Sequence, residues 1–249
     1  MADLQLSHAS TSLIGGLGMT RVTVYDQRVA PDGKHSGCPH LHAICAEAYY
    51  VLSGKGYVEL HNLEDGWHEV KLQKGTYFQF PPNTLHRLVN EDQLVILGMM
   101  SNAGLAENGD ARIYFGPEVD SDPFAYEDSV ALVSKGLEGA LERRDRAVEG
   151  YQHLIELWDS DRDTYFDELK RFINRHREFV SMQHDKFASY IANGPRAWAD
   201  RAETLLSDCG HTDTGSKTIQ HTPTESARFG MCGTLHPVQA NGESTDIGY

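Results

Sequence analysis

The sequence predicts a mostly β protein with an α-helical appendage. Residues 1–116 contain many short apolar segments separated by turn signals, which favours a sandwich or small barrel. Residues 117–206 contain stretches with apolar side chains three or four positions apart, which is typical of helices. Residues 207–249 are rich in Gly, Ser and Thr with few apolar side chains, so we predict an extended or disordered tail there.

The β region divides at residues that favour turns. Ser53-Gly54-Lys55-Gly56, Pro81-Pro82-Asn83 and the polar segment 62–66 separate apolar or alternating segments. The predicted strands are residues 19–29, 38–44, 46–52, 57–61, 67–72, 76–80, 85–89 and 94–100.

The helical region begins at Asp122-Pro123, where Asp suits the N-cap and Pro the first helical position. A second helix is predicted over 137–158, after Gly136. A capping box formed by Ser160 and Asp163 then introduces a helix from 165 to 190, about 45 Å long with its neighbouring turns. Asn193-Gly194-Pro195 ends this helix, and a short last helix is predicted over 196–206.

Composition excludes several classes of partner. The chain has 22 Lys and Arg against 36 Asp and Glu, a formal net charge of −14, so neither nucleic acid nor an anionic membrane is an expected partner. No apolar run approaches the length of a membrane span, and the first residues lack the pattern of a secretory signal. Four sparse cysteines do not suggest a disulfide framework, so we expect a cytoplasmic protein.

Three histidines and one glutamate form the candidate metal site. His40 and His42 share one face of a strand because side chains alternate, and a tight turn brings Glu47 beside them. His86 comes from a strand about forty residues further along. Three imidazoles and one carboxylate suit a divalent first-row metal ion, and four protein ligands leave one or two positions open on that ion.

These residues carry a family resemblance. His40-x-His42-x4-Glu47-x6-Gly54 resembles the first motif of the cupin superfamily, and Gly75-x5-Pro81-x-Asn83-x2-His86-x3-Asn90 resembles the second. The resemblance covers residues 19 to 100. It departs from the family at Lys34 and Asn83, where glycine is usual, and Asn is the residue best able to replace glycine in a left-handed turn.

The resemblance implies a jelly-roll β-barrel, which we place at residues 1–116 as the cupin β-barrel domain, and often a homodimer. Beyond residue 120 the resemblance implies nothing. The helical extension (117–206) and the tail (207–249) are predicted from the sequence pattern, so the predicted fold is a cupin-type jelly-roll β-barrel followed by a helical C-terminal region. The resemblance does not fix a reaction, because cupins include dioxygenases, isomerases, epimerases, decarboxylases and lyases.

Three functions remain open. We favour an Fe(II) dioxygenase-type oxidoreductase that acts on a small polar organic molecule, with iron held by His40, His42, Glu47 and His86. The same ligands suit Mn, Ni, Zn or Co, so the second hypothesis is a metal-dependent lyase or isomerase in which a Tyr or Glu moves the proton. The third is a non-catalytic metal- or ligand-binding barrel whose helices mediate assembly.

Other residues carry weaker hypotheses. Tyr49 is the candidate catalytic residue, although a packed core tyrosine is the favoured interpretation. Arg112 is the candidate for binding a substrate carboxylate, although a surface ion pair is the favoured interpretation. Arg87 should face away from the ligands, and His176 should be a hydrogen-bonded interface histidine. In the tail, no zinc pattern fits the spacing of Cys209, His211, His221, Cys232 and His236.

Overall fold

The computed structural model describes residues 13–207 and 228–238. Ten strands form one largely antiparallel sheet that curls into the predicted jelly-roll barrel. The strands are β1 Gly18–Val24, β2 His35–Ser36, β3 His40–His42, β4 Glu47–Asn62, β5 Gly66–Gln73, β6 Tyr77–Phe80, β7 Leu85–Met100, β8 Ala111–Ile113, β9 Arg228–Phe229 and β10 Gly233–Val238.

Two sixteen-residue strands, β4 and β7, run antiparallel through the barrel and replace four shorter predicted strands. The turns predicted at 53–56 and 90–93 are irregularities inside these strands, where the pairing register shifts between Val51 and Gly56. Gly54 has a φ of 74°, and a Cβ on it would lie 2.2 Å from the Gln93 carbonyl oxygen. Glycine therefore lets both strands bend together instead of ending.

The helices follow the barrel in the order α1 Pro117–Ser121, α2 Pro123–Ala131, α3 Gly136–Ser160, α4 Arg162–Met182, α5 His184–Ile191 and α6 Ala197–Ser207. Asp122 caps α2, since its carboxylate accepts hydrogen bonds from the Phe124 and Ala125 N–H groups, as predicted. Among the described residues, no helix is long and apolar enough to cross a membrane.

Two helix predictions were wrong in detail. The carboxylate that caps α4 belongs to Asp161, which accepts from the Thr164 N–H, and not to a capping box at Ser160. The single helix predicted from 165 to 190 is interrupted at Gln183, which separates α4 from α5. The break lets Phe187 pack on Leu105 and Cys45 at the end of the barrel.

Helices α3 and α4 pack directly against the outer face of the barrel. Leu41 and Leu85, which are neighbours of the predicted ligands in β3 and β7, lie in one buried cluster with side chains of both helices. The helical members of this cluster are Tyr151, Leu154, Tyr165, Leu169, Phe172 and Ile173.

Within the predicted tail, residues 228–238 are extended and return to the barrel. Strands β9 and β10 form a hairpin, and β10 pairs with β1 from Met19–Val238 to Val24–Gly233. Leu235 packs on the barrel core. This contact helps to hold the hairpin on the sheet, although the segment has few apolar residues. The rest of the predicted tail beyond Ser207 lies outside the described residues.

Candidate metal centre

The four predicted ligands meet inside the barrel. His40 and His42 project from one face of β3, His86 lies opposite His40 on β7, and Glu47 is the first residue of β4. One ligand atom from each lies within 4.8 Å of the other three, and all four residues are buried. This convergence agrees with the prediction made from the spacing of the motifs.

Backbone carbonyls fix the imidazole rings of two ligands. His40 Nδ1 donates to the Cys38 carbonyl oxygen at 2.9 Å, and His86 Nδ1 donates to the Thr84 carbonyl oxygen at 3.0 Å. In neutral rings, the other nitrogen of each imidazole then carries a lone pair. His40 Nε2 and His86 Nε2 nevertheless face each other at only 3.1 Å.

Glu47 adds an anionic oxygen to the same space. Its Oε2 lies 3.1 Å from His86 Nε2 and 3.4 Å from His42 Nε2, and it has no hydrogen-bond partner among the described residues. Burial would raise the pKa of Glu47, but the imidazoles of His86 and His42 outweigh it and lower that pKa below the ordinary value. Glu47 is therefore a carboxylate.

The buried and charged groups of the site also shift the pKa values of His40 and His42. Burial and the neighbouring rings of His86 and His42 lower the pKa of His40 well below its ordinary value, so His40 is neutral. Burial would also lower the pKa of His42, but the carboxylates of Glu47 and Asp110 raise it above the ordinary value.

The donor atoms fit a divalent cation. His86 Nε2 lies 3.1 Å from both His40 Nε2 and Glu47 Oε2. When both rings are neutral and donate from Nδ1, no hydrogen lies between these three atoms and their lone pairs repel one another. A positive ion among them removes this repulsion, and a set of three imidazoles and one carboxylate is a ligand set for divalent first-row metals. The residues therefore fit the group that the family resemblance implies.

Asp110 supports the ligand set and was missed by the sequence analysis. Its buried carboxylate accepts hydrogen bonds from the N–H groups of Ala43, Ile44 and Cys45, which form the turn between the ligands His42 and Glu47. Asp110 Oδ2 also lies 3.9 Å from His42 Nδ1. Its charge favours the tautomer that leaves His42 Nε2 free to bind a metal ion.

A cavity of about 400 Å³ opens beside the ligands. Its volume is within the range of small-molecule sites. Its lining is largely apolar. The apolar side chains from β1, β7, the 228–238 hairpin and the residue before β1 include Leu17, Met19, Val22, Met100, Phe229, Leu235 and Val238. Substrate access to His40, His42 and Glu47 would be through this cavity.

Tyr49 is close to Glu47 but outside the lining of this cavity. It is fully buried in the barrel core and packs edge to face on Phe80, with ring centroids 5.5 Å apart. Its hydroxyl has no hydrogen-bond partner among the described residues. Burial and the Glu47 charge raise the pKa of Tyr49 well above its ordinary value. Its surroundings are those of a core tyrosine, and its catalytic role stays a prediction.

The structure does not bring Arg112 to the four ligands. Arg112 pairs with Leu41 in the β3–β8 register, so it lies on the opposite face of the sheet from His40 and His42. Its guanidinium stacks on Tyr126 at 3.9 Å from the ring centroid and lines a second cavity between the barrel and the helices. These contacts give no support to its predicted role with substrate carboxylate near the ligands.

Two other sequence interpretations agree with the structure. Arg87 faces away from the ligands, where it is buried between the carboxylates of Asp32 and Glu59 at 2.6 Å and 2.8 Å. His176 is a buried interface histidine whose Nε2 donates to the Asp110 carbonyl oxygen at 2.7 Å.

The family model of the cupin domain matches residues 25–99. That range contains all four ligands and both motifs. The chain contains a cupin domain. The helices and the 228–238 hairpin lie outside the matched range. A cupin fold that binds a divalent ion is compatible with many reactions. The family match therefore indicates where the site lies but does not identify the reaction.

Two of the solved structures that are similar to this chain are described as a cupin protein and a protein with a double-stranded β-helix domain. A cupin protein from Bacteroides fragilis is 22% identical and covers 36% of this chain and 68% of its own, with a TM-score of 0.28. A conserved protein with a double-stranded β-helix domain from Klebsiella pneumoniae is 14% identical and covers 40% and 75%, with a TM-score of 0.30.

A TDP-fucose-3,4-ketoisomerase from Campylobacter jejuni is 10% identical and covers 32% of this chain and 58% of its own, with a TM-score of 0.28. TM-scores this low carry no argument about activity. No curated protein matches the chain.

Proposed function

We propose that this protein is a metal-dependent cupin enzyme that oxygenates a small organic molecule at an Fe(II) centre. The observation that carries the metal-dependent part is the meeting of three imidazoles and one carboxylate beside a cavity of about 400 Å³. Iron and oxygenation are the specific choice within that class. They are favoured because four protein ligands leave positions for both a substrate and dioxygen on a six-coordinate ion.

In this proposal, His40, His42, Glu47 and His86 hold the ion. A bound ferrous ion would supply the redox chemistry needed to oxidise an organic substrate with dioxygen. The carbonyls of Cys38 and Thr84 hold two of the rings in the tautomer that a metal ion requires. Asp110 keeps the turn between His42 and Glu47 in place.

The lining of the cavity limits the class of possible substrates. The sequence suggested a polar molecule, but the largely apolar lining favours an apolar body with one polar group directed to the ligands. Arg228 is the one Lys or Arg side chain among the described residues that line the cavity. An anionic group on the substrate would find its counter-charge there.

The metal site is tested by removing one ligand. Protein purified without chelator should contain about one equivalent of metal, and His86→Ala should lower the affinity for Fe(II) more than the ten- to hundredfold that loss of an outer-sphere partner costs. His184→Ala, at an exposed histidine on α5, is the matched control and should keep the affinity. Metal content by mass spectrometry and Fe(II) titration of the metal-free protein provide the measurement. Equal metal content in both variants would contradict the site.

The reaction type is tested by oxygen consumption. The iron-loaded protein should consume oxygen with at least one member of a panel of aromatic and aliphatic carboxylic acids and thiols, and His86→Ala should not. Turnover of a substrate with no oxygen demand, in aerobic and anaerobic buffer alike, would overturn the oxygenase and favour a lyase or isomerase. Metal binding with no turnover of any kind would favour a binding barrel.

A further inference from the structure

The C-terminal hairpin brings a thiol to the ligand set. Cys232 lies in the turn between β9 and β10, and its Sγ is 3.6 Å from His40 Nε2 although the two residues are 192 positions apart. Cys232 is buried and lines the same cavity as His40, His42 and Glu47. His40 is one of the four residues whose ligand atoms lie within 4.8 Å of one another, and Cys232 contacts this set through His40.

Three hydrogen bonds anchor this turn to the barrel and to α3. The Gly230 carbonyl oxygen accepts from the Tyr25 hydroxyl at 2.8 Å and from the Arg143 guanidinium at 2.7 Å. The Met231 carbonyl oxygen accepts from the Cys38 N–H at 2.7 Å, two residues before the ligand His40. Tyr25, Cys38, Arg143 and Gly230 are buried, so the position of the turn is fixed by interactions that would be costly to leave unmade.

Close backbone approach also fixes the turn. A Cβ on Gly37 would lie 2.7 Å from the Cys232 Cα and 2.8 Å from the Met231 carbonyl oxygen. A Cβ on Gly233 would lie 2.1 Å from the Thr23 carbonyl oxygen. Only glycine at these two positions allows the hairpin to sit this near to β1 and to the segment before β3.

The sulfur–nitrogen distance is that of two ligands on one metal ion. With metal–nitrogen and metal–sulfur bonds of about 2.1 and about 2.3 Å, two such atoms lie about 3.1 Å apart at a right angle and about 3.8 Å apart at 120°, the angles between neighbouring ligands of five- and six-coordinate ions. The Cys232 Sγ to His40 Nε2 distance of 3.6 Å falls within this range. Glu47 Oε2, which is buried and has no hydrogen-bond partner among the described residues, points independently to a cation in the same space.

We propose that Cys232 is a further ligand of this metal centre and occupies one of the positions that the three histidines and Glu47 leave open. The inference rests on the proposed metal site. Binding transfers the thiol proton to solvent as the sulfur–metal bond forms, without oxidation of either partner. A thiolate would shift the preference of the site from Mn toward Fe, Co, Ni and Zn. Five protein ligands would leave one position on a six-coordinate ion, so substrate and dioxygen could not both bind the ion. The proposed oxygenation would then use a substrate that lies in the cavity without binding the ion.

Cobalt(II) loading in the presence of a phosphine reductant tests this ligand, because a cobalt–thiolate bond gives a charge-transfer band in the near ultraviolet. Wild-type protein should bind one equivalent of cobalt(II) and show the band. Cys232→Ser should lose the band and bind cobalt(II) at least about tenfold more weakly. Cys45→Ser is the matched control, since the Cys45 thiol contacts the Asn102 carbonyl oxygen and lies outside the cavity lining. It should keep the band.

The outcomes separate the two proposals. Failure of wild-type protein to bind cobalt(II) would overturn the metal site itself. Cobalt(II) binding without the band, or a band that persists in Cys232→Ser, would overturn the Cys232 ligand and leave the metal site standing. A wild-type measurement covers the case in which Cys232→Ser does not fold: X-ray absorption of the zinc-loaded protein should place one sulfur at about 2.3 Å, and a shell of nitrogen and oxygen alone would overturn the inference.

Discussion

At the scale of single residues, side-chain alternation gives each ligand strand two functions. His40 and His42 face the ligand set, whereas Leu41 between them packs with helices α3 and α4. His86 faces the ligand set, whereas Arg87 beside it is buried on the opposite face between Asp32 and Glu59. The ligands are therefore held by neighbours that are themselves packed or ion-paired, which limits how far an imidazole can move.

Asp110→Asn tests the residue that holds the turn after β3. The amide keeps one acceptor oxygen but puts an NH₂ group against a backbone N–H, so we expect a loss of about 1–3 kcal/mol in the free energy of unfolding. The negative charge near His42 Nδ1 is also lost, and metal affinity should fall about 10- to 100-fold. Urea unfolding and Fe(II) titration measure the two effects.

The control for this prediction is Asp92→Asn, the same chemical change at an exposed carboxylate. Asp92 lies on β7 and pairs with Lys55, where the register between β4 and β7 shifts. It should change neither quantity. If Asp110→Asn kept the wild-type metal affinity while losing stability, Asp110 would have only a structural role.

The sequence predicted those site residues that local motifs define. His40, His42 and Glu47 lie within one strand–turn–strand segment, and His86 follows its own turn at Asn83, where φ is 63° as expected for a left-handed position. Asp110 and Cys232 reach the site only through tertiary pairing, which no local spacing encodes. The direction of the Arg112 side chain could not be predicted, because it depends on the β3–β8 register and a shift of one residue reverses the face.

At the scale of elements, the contact of α1 with α4 contains a buried carboxyl group with a raised pKa. Burial raises the pKa of Asp120 to about 7, although the Arg112 and Arg175 guanidiniums and the Phe115 N–H all lower it. Asp120 Oδ1 has no hydrogen-bond partner among the described residues. The carboxyl group is thus held in a place that favours its neutral form.

Asp120→Asn tests this element contact. Because the pKa of Asp120 is higher in the folded protein than its ordinary 3.8, the folded state binds more protons between pH 4 and pH 7, and stability decreases as pH rises through this window. The amide has no charge to bury. The variant should therefore match wild type near pH 3.5 and exceed it in stability at pH 8, with thermal unfolding across pH as the measurement.

Asp128→Asn on α2 is the control for this pH dependence, since Asp128 is exposed. It should leave the difference between pH 3.5 and pH 8 unchanged. An Asp120→Asn profile parallel to that of wild type at every pH would show that Asp120 ionises at its ordinary pKa.

The break between α4 and α5 could not be predicted from the sequence. The periodic apolar stripe from Tyr165 to Tyr190 is real, but it cannot reveal that the chain turns at Gln183. The chain turns there because Phe187 and Tyr190 pack in one cluster with Leu105, which lies in the loop that follows β7. That surface exists only after the barrel has formed, so a pattern within the helix carries no record of it.

At the scale of the whole molecule, the barrel and helices α3 and α4 share a core, so we expect them to unfold together. Leu41 and Leu85 of the barrel are completely buried against the helical side chains of the same cluster. A chain that ended at Gly116 would expose this apolar face of the barrel. The hypothesis that the helices serve only assembly would instead require a barrel that is stable without them.

Leu169→Ala tests this shared core. Leu169 is fully buried on α4 and touches no metal ligand, and its truncation should cost about 2–5 kcal/mol. If the unit is cooperative, hydrogen exchange measured by mass spectrometry should speed up equally in peptides from α4 and from β7, because both are protected by the same opening reaction. Met182→Ala, at a side chain that is 76% exposed at the end of the same helix, should change neither peptide. Faster exchange confined to α4, with β7 still protected, would show instead that the barrel is an independent domain and that the helices are an appendage to it.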